Sequence, residues 1–170
     1  PITVPAVANQ MYDLFCFQSG GTPTLEALAW TNDANRATTL TFNGSDGVYT
    51  KTGDQTRRYV GSFRTRTAGQ VTDSPVVRHL WNYNNRVAKP MEVIDTTDSW
   101  GYTTATYRQA NGNASNQLDF IIGVQEDVVI AHVTGSARNT NVGVSANVGI
   151  GIDSTTINGA LLTPFWQTQI

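Results

Sequence analysis

The sequence predicts an all-β fold, an antiparallel β-sandwich of jelly-roll type with about ten short strands and little helix. Segments of alternating polarity, rich in Val, Thr, Tyr and Phe, recur along the 170 residues. Clusters of Gly, Asn, Asp and Ser separate these segments, and such residues form turns. Helical periodicity is weak throughout, which excludes a helical core.

The first five predicted strands alternate in polarity and are bounded by turn clusters. MYDLFCF (11–17) ends at SGG (19–21), and LEALAW (25–30) follows that turn. ATTLTF (37–42) ends at NGSDG (43–47), and RYVGSFRT (58–65) lies between KTGD (51–54) and TAG (67–69). VVRHLWNY (76–83) ends at two further Asn residues.

The last five predicted strands are PMEVID (90–95), WGYTTATYR (100–108), QLDFIIG (117–123), DVVIAHVT (127–134) and VGVSANVGIGI (142–152). QANGNASN (109–116) supplies the turn cluster in the middle of this half. Gly143, Gly149 and Gly151 lie in the last strand, and glycine there indicates a bulge or the close approach of another backbone.

A chain of this length fits one domain, so we assign residues 11–170 to a single β-sandwich domain. Residues 1–10 (PITVPAVANQ) are predicted to form an extended N-terminal arm that is able to pack on a neighbour. Because the chain opens on Pro1 rather than Met, we expect either a processed N-terminus or a piece of a longer polypeptide.

The composition narrows the class of partner. Charged residues are 14% of the chain, whereas Thr (24) and Asn (14) are abundant, which favours assembled or secreted proteins. A net charge of -2 and a pI near 5.5 predict no binding to nucleic acid. Since no apolar run approaches the roughly 20 residues of a membrane helix, we predict no membrane insertion.

Residues for catalysis or metal binding are scarce. His79 and His132 are the two histidines, Cys16 is the one cysteine, and no G-x-S-x-G or phosphate-binding loop occurs. Carboxylates suited to glycosidase chemistry, such as Asp119, Glu126 and Asp127, fit turn and strand positions better. We therefore predict no enzymatic activity, no metal and no cofactor.

The stretch HLWNYNNRVAKP (79–90) concentrates residue types that bind ligands. Alternation places His79, Trp81 and Tyr83 on one strand face, followed by a turn at Asn84–Asn85. The patch is therefore either a structural signature of the domain or a stacking surface for a sugar or a neighbouring subunit. The full set of candidate interface and adhesion residues is Trp30, Arg57, Arg58, Trp81, Tyr83, Arg86 and Trp100.

Arginine supplies nine of the eleven basic residues. The guanidinium group suits ion pairs and interfaces, so we predict that four arginines pair with Asp or with backbone carbonyls: Arg36, Arg57, Arg58 and Arg86. Replacing Arg58 by Ala should lower the free energy of unfolding by about 1–3 kcal/mol if the partner of Arg58 is buried.

Four stretches of the sequence together carry a specific pattern. They are AWTNDANRATTL (29–40), DGVYTKTGDQTRRYVGSFRT (46–65), HLWNYNNRV (79–87) and SWGYTTATYRQANGNASNQLDFIIGVQEDVV (99–129). In these stretches, and in YD-x-F at Tyr12, the chain resembles a structural domain of tailed-bacteriophage and prophage virions, of the tail-fibre or of the head-fibre and decoration type. No catalytic residue belongs to these motifs.

The resemblance implies a virion component without identifying the part of the virion. Together with the Thr- and Asn-rich, weakly charged composition and the density of strands, it favours a non-enzymatic structural protein, exposed on the virion surface as a fibre or spike domain that contributes to host adhesion. A capsid decoration protein that stabilises the phage head is the alternative, and a carbohydrate-active depolymerase is the third possibility. The predicted partners are further copies in a homotrimer, other virion proteins of the fibre stem, tail or capsid, and a host surface glycan. Assembly would take place in the bacterial cytoplasm.

Overall fold

Nine strands and one short 3₁₀ turn are present in the part of the chain that the structure, a computed structural model, describes: residues 2–125, 127–135, 137 and 147–155. In chain order the strands are β1 (Met11–Ser19), β2 (Thr22–Ala29), β3 (Leu40–Asn43), β4 (Val48–Lys51), β5 (Asp54–Thr67), β6 (Gln70–Val71), β7 (Val77–Arg78), β8 (Leu80–Asn82) and β9 (Asp119–Phe120). The 3₁₀ turn is Ala110–Gly112.

The 14-residue strand β5 is the centre of a seven-stranded antiparallel sheet. The sheet runs in the order β2-β1-β5-β4-β3, and β6 and β8 also pair with β5. The register between β1 and β5 shifts between Leu14 and Phe15, because Leu14 pairs with Gly61 whereas Phe15 pairs with Tyr59. Val60 is therefore the extra residue of a β-bulge.

The hairpin between β1 and β2 follows directly from the sequence. Ser19 pairs with Thr22, so the loop consists of Gly20 and Gly21 alone. Both glycines have positive φ angles, 57° and 81°. A two-residue hairpin loop of type I′ needs positive φ at both positions, which glycine adopts without steric cost.

The core lies on the face of the sheet that carries Phe15 and Tyr59. Phe15, Tyr59 and Val124 form a buried cluster. The half-buried side chains of Leu28, Leu40, Tyr49, Trp81 and Tyr83 pack against it. On the other face, the ring of Tyr12 stacks on that of Phe63, with centroids 5.1 Å apart.

A short parallel pair, β7 with β9, departs from the otherwise antiparallel pairing. Val77 pairs with Asp119 and Arg78 with Phe120. This pair brings the segment that follows residue 116 onto the strand region around His79.

The described residues separate into two compact units. The first unit comprises Pro1–Val93 and Gln117–Asp127, and the second comprises Ile94–Asn116 and Val128–Ile170. The strands β1 to β9 all belong to the first unit. The assignment of residues 11–170 to a single domain stays a prediction.

Residues 2–10, the predicted arm, contain no strand. The backbone N–H of Gly69 donates to the carbonyl of Pro5 (3.1 Å), and the hydroxyl of Thr65 donates to the carbonyl of Val7 (2.6 Å). The arm is thus held against the end of β5, and its packing on a neighbour stays a prediction.

The all-β, antiparallel fold class is confirmed, whereas the jelly-roll connectivity stays a prediction. Several strand predictions were wrong. The predicted strands 90–95, 100–108 and 127–134 are not strands, the strand 76–83 is split at His79, and of 117–123 only β9 forms. Residues 147–152 of the predicted strand 142–152 form no strand, and residues 142–146 lie outside the described residues. β4 and β6 were missed.

Candidate functional site

The predicted alternation along residues 76–83 is confirmed by burial. Val77 and His79 are buried and Trp81 and Tyr83 are half-buried, whereas Leu80, on the opposite face, is 47% exposed. The turn that follows is also present, since the backbone N–H of Asn84 donates to the side-chain oxygen of Asn82 (2.9 Å). The aromatic face of this stretch therefore points into the core.

The indole of Trp81 is engaged on one face and at its polar edge. Its ring stacks on the Tyr59 ring with centroids 6.1 Å apart and an interplanar angle of 29°. Its Nε1–H donates to the Asp127 carboxylate. Because Trp81 is also half-buried and Gly123 lies against its ring, this geometry favours the structural interpretation of Trp81.

Tyr83 and Arg86 complete this corner of the first unit. The Tyr83 ring meets the Tyr49 ring edge to face, with centroids 5.6 Å apart. The guanidinium of Arg86 lies 5.1 Å from the Tyr83 ring centroid and 3.2 Å from the Asp127 carboxylate. The structure thus brings three predicted site residues, Trp81, Tyr83 and Arg86, together around Asp127.

A buried polar network lies beside the aromatic core and is centred on Asp13. The Asp13 carboxylate, 1% exposed, accepts from Arg36 Nε (2.7 Å) and from the Ser62 hydroxyl (2.7 Å). Since Ser62 donates its one hydrogen to Asp13, the Tyr59 hydroxyl, 2.6 Å from Ser62 Oγ, must donate to Ser62. The chain Tyr59–Ser62–Asp13 links β5 to β1 through side chains.

Arg36 joins that network to two loops. Its guanidinium donates to the carbonyl of Gly123 and lies 4.4 Å over the ring of Trp30, itself 8% exposed. The predicted pairing of Arg36 with Asp and with a backbone carbonyl is therefore confirmed. Burial raises the pKa of Tyr59 well above its usual value, so its hydroxyl stays a neutral donor across the physiological range.

Arg57 links β1 and β2, the two strands that lie on one side of β5. Its Nε donates to the Glu26 carboxylate on β2 (2.7 Å), and the hydrogen bond to Glu26 raises the pKa of Arg57. Its guanidinium lies 4.3 Å from the centroid of the Phe17 ring on β1 and also pairs with Asp54. Arg57 thus stabilises the sheet rather than presenting a free charge.

Arg58 is paired much more loosely. Its guanidinium is 3.6 Å from the Asp46 carboxylate, and the two side chains are 61% and 51% exposed. The condition for a large effect of Arg58→Ala, a buried partner, is not met.

We expect Arg57→Ala to lower the free energy of unfolding clearly more than Arg58→Ala does, because it removes two ion pairs and a cation–π contact together. Arg58→Ala is the matched control, and it should cost less than about 0.5 kcal/mol since exposed ion pairs contribute little. Urea unfolding of both variants measures the difference. Equal losses would contradict these distinct roles of the two arginines.

Trp100, in the second unit, is not part of a core formed by the described residues. It is 48% exposed, and the guanidinium of Arg108 lies 6.0 Å from its ring and 4.0 Å from the ring of Tyr102. The structure therefore leaves Trp100 on the surface of this unit, where it can meet a partner.

His79 is fully buried, so it cannot contact a substrate directly. Its Nε2 lies 3.0 Å from the Asp119 carboxylate, close enough for an ion pair when the imidazole is protonated. Neither ring nitrogen makes a hydrogen bond of good geometry with the described residues. His79 is best explained as a packing residue where β7 meets β9.

A shallow pocket of about 390 Å³ opens beside Arg36. Its rim carries the side chains of Asn35, Thr39 and Gln125, and its floor includes Tyr49 and the buried Val124. The sequence did not single out this pocket, because its lining residues come from three separate stretches of the chain.

Sequence reasoning also missed Asp13, Ser62, Gly61 and Gly123. The signal for Asp13 is an acidic residue inside the apolar run MYDLFCF, since a buried carboxylate needs a partner. The signal for Gly61 is a glycine inside a predicted strand. Neither signal identifies the partner across the fold.

Within the described ranges, no group of three or more His, Cys, Asp or Glu side chains is arranged to hold a metal ion. No helix among these residues is long and apolar enough to cross a membrane. No protein-family model, curated protein or solved structure matches the chain.

Proposed function

We propose that the chain is a non-enzymatic structural protein on the surface of a tailed-bacteriophage virion, where it assembles as a homotrimer on a fibre or spike and contributes to host adhesion. The motif resemblance supports the virion assignment. The burial of Asp13, Ser62 and His79, which are occupied in packing or in the network, supports a structural role for these three residues.

One structural observation carries the assembly part of the proposal. Large apolar side chains of the second unit are strongly exposed in the single chain, including Val128 (83%), Ile130 (79%), Ile94 (67%) and Ile152 (66%). Exposed apolar surface of this kind marks interaction sites in soluble proteins. Burial against further copies would remove it from water and would stabilise the assembled form.

Light scattering coupled to size exclusion tests the assembly. We expect a mass of about 55 kDa, three times the 18.4 kDa of one chain. Replacing Val128 and Ile130 together by Ser should shift the mass toward that of the monomer, because it removes exposed apolar area at the proposed contact. Thr134→Ser, an exposed and conservative change in the same segment, is the control. A monomeric wild-type chain would contradict the proposal.

Antibody labelling of particles made by a phage that encodes this chain tests its location. Label on fibres or spikes is the expected result, and label on the capsid lattice would favour a decoration protein instead. Incubation of the protein with host capsule should leave the polysaccharide size unchanged, whereas shortening would indicate a depolymerase.

A further inference from the structure

The pocket beside Arg36 is open, has the volume of a ligand site, and has a lining that is more polar than apolar. Its volume of about 390 Å³ falls in the range of about 300–1,000 Å³ that is typical of small-molecule pockets. Leu40 and the buried Val124 supply apolar wall, and Tyr49 supplies an aromatic ring. Polar groups therefore predominate in the lining, beside a smaller apolar and aromatic part.

The aromatic ring in this pocket is held in place before any ligand arrives. The Tyr49 ring meets the Phe42 ring at 5.2 Å and the Tyr83 ring at 5.6 Å, both edge to face. Neighbours on two sides limit rotation of the Tyr49 side chain. A ring whose orientation is fixed in this way loses little conformational entropy on binding a flat apolar face.

The polar rim offers neutral donors and acceptors. The Asn35 amide is oriented by its Nδ2, which donates to the side-chain oxygen of Asn32 (3.0 Å), and the exposed Gln125 carries a second amide. The Thr39 hydroxyl is 2.9 Å from that of Thr52. Amides and hydroxyls each both donate and accept, as the hydroxyls of a sugar do.

The positive charge of Arg36 at the pocket is already neutralised by Asp13. Among the described residues that line the pocket, Arg36 is the one with a charge, and its Nε donates to the buried carboxylate of Asp13 at 2.7 Å. An acidic ligand would therefore compete with Asp13 for the guanidinium instead of meeting an unpaired cation. Neutral hydroxylated ligands avoid this competition.

We propose that this pocket binds a neutral saccharide unit, with an apolar sugar face toward Tyr49 and hydroxyl groups hydrogen-bonded to Asn35 and Gln125. The inference rests on the proposed adhesion function for the biological origin of that saccharide. It moves the expected sugar contact from the ring of Trp81, which stacks on Tyr59, to the neighbouring pocket.

Saturation-transfer NMR on the full chain tests the pocket directly. The probes are the methyl glycosides of glucose, galactose, mannose and N-acetylglucosamine, with galacturonic acid as the acidic comparison. We expect transfer to at least one neutral glycoside and none to galacturonic acid. The double variant Asn35→Ala, Gln125→Ala should bind about tenfold more weakly, because each amide hydrogen bond contributes a factor of roughly 2 to 10.

Two further variants test whether a loss of glycoside binding is specific to the pocket. Gln55→Ala removes an exposed amide of β5 that lies outside the pocket lining, so it should bind as the wild type does. Ala34→Leu adds bulk at the pocket lining without removing a polar group, and it should also weaken binding. Melting curves of all variants show whether each one is folded.

Failure of the pocket inference and failure of the adhesion proposal give different results. If the wild type adheres to host cells but binds no neutral glycoside, or if the double variant and Ala34→Leu bind as the wild type does, the pocket inference is overturned while adhesion stands. Binding of galacturonic acid alone also overturns it. If the pocket variants lose glycoside binding but the wild type does not adhere to cells, the adhesion proposal is the one that fails.

Discussion

Replacing Asp13 by Ala should lower the free energy of unfolding by about 3–5 kcal/mol, which is the usual cost of removing one partner of a buried ion pair. Asp13 is 1% exposed, and its two oxygens accept from Arg36 and Ser62. Without the carboxylate, the guanidinium of Arg36 keeps its bond to Gly123 but has no counter-charge.

The loss of free energy of unfolding should exceed the loss from removing one ordinary hydrogen bond, because several groups depend on Asp13 at once. Ser62 loses its acceptor, and because the Ser62 and Tyr59 hydroxyls share a single hydrogen bond, one of their two hydrogens is left without an acceptor in this network. A buried donor without a partner costs about 1–3 kcal/mol. Asp13→Asn should cost less than Asp13→Ala, since the amide oxygen can still accept one of the two bonds.

Urea unfolding at one fixed protein concentration measures these differences, because an oligomer's apparent stability depends on concentration. Asp33→Ala is the matched control. Asp33 pairs with Arg64 at 3.2 Å, but its side chain is 64% exposed, so the expected loss is below about 1 kcal/mol. A similar small loss for Asp13→Ala would mean that Arg36 and Ser62 find other partners.

The strands that the sequence predicted correctly are those whose partners lie nearby in the chain or along β5. MYDLFCF and LEALAW are joined by a two-glycine loop, so local turn chemistry and alternation indicate the same hairpin. In contrast, DVVIAHVT has strong β-propensity but forms no strand among the described residues. A strand needs a partner as well as a pattern, and single-sequence alternation does not supply one.

β4 was missed for the opposite reason. Its four residues, Val48–Lys51, lie between the turn clusters NGSDG and KTGD, and a run this short is hidden by the turn signals on either side. The pairing of β4 with both β3 and β5 stabilises it in the fold. Tertiary pairing overrides the local signal here.

The site was predictable by residue type but not by partner. The pattern indicated that Arg36 and Arg86 would pair with Asp or with backbone carbonyls, and they pair with Asp13 and Asp127. The sequence separations are 23 and 41 residues, so the partners follow from sheet register and loop packing. The same holds for the pocket, whose walls meet only once β3, β4 and the segment before Asp127 are in place.

Replacing Gly61 by Ala should lower the free energy of unfolding by about 3 kcal/mol, the upper end of the usual cost of overpacking. A Cβ on Gly61 would collide with the backbone carbonyl oxygen of Trp81 and lie 3.1 Å from the Cα of Asn82. Both obstructing atoms belong to the backbone of β8, so no side-chain rotation relieves the collision.

The effect should spread along β8, because the pairing of β8 with β5 holds Trp81 and Tyr83 in place. Gly61 pairs with Asn82 on one edge of β5 and with Leu14 on the other, immediately beside the bulge at Val60. Moving β8 away would weaken the hydrogen bond from the Tyr83 N–H to the Val60 carbonyl (2.8 Å) and would loosen the stacking of Trp81 on Tyr59. We therefore expect a red shift of Trp fluorescence together with the loss of stability.

Gly44→Ala is the matched control for Gly61→Ala. Among the described residues, no neighbouring atom lies within 4 Å of a Cβ built at Gly44, and its φ is not in the left-handed region. Gly44→Ala should therefore be neutral or slightly stabilising, because Ala restricts the unfolded chain more than Gly does. If Gly61→Ala unfolded at the same urea concentration as Gly44→Ala, β8 would have room to move away from β5. In that case the close approach of the two strands would not be what requires glycine at position 61.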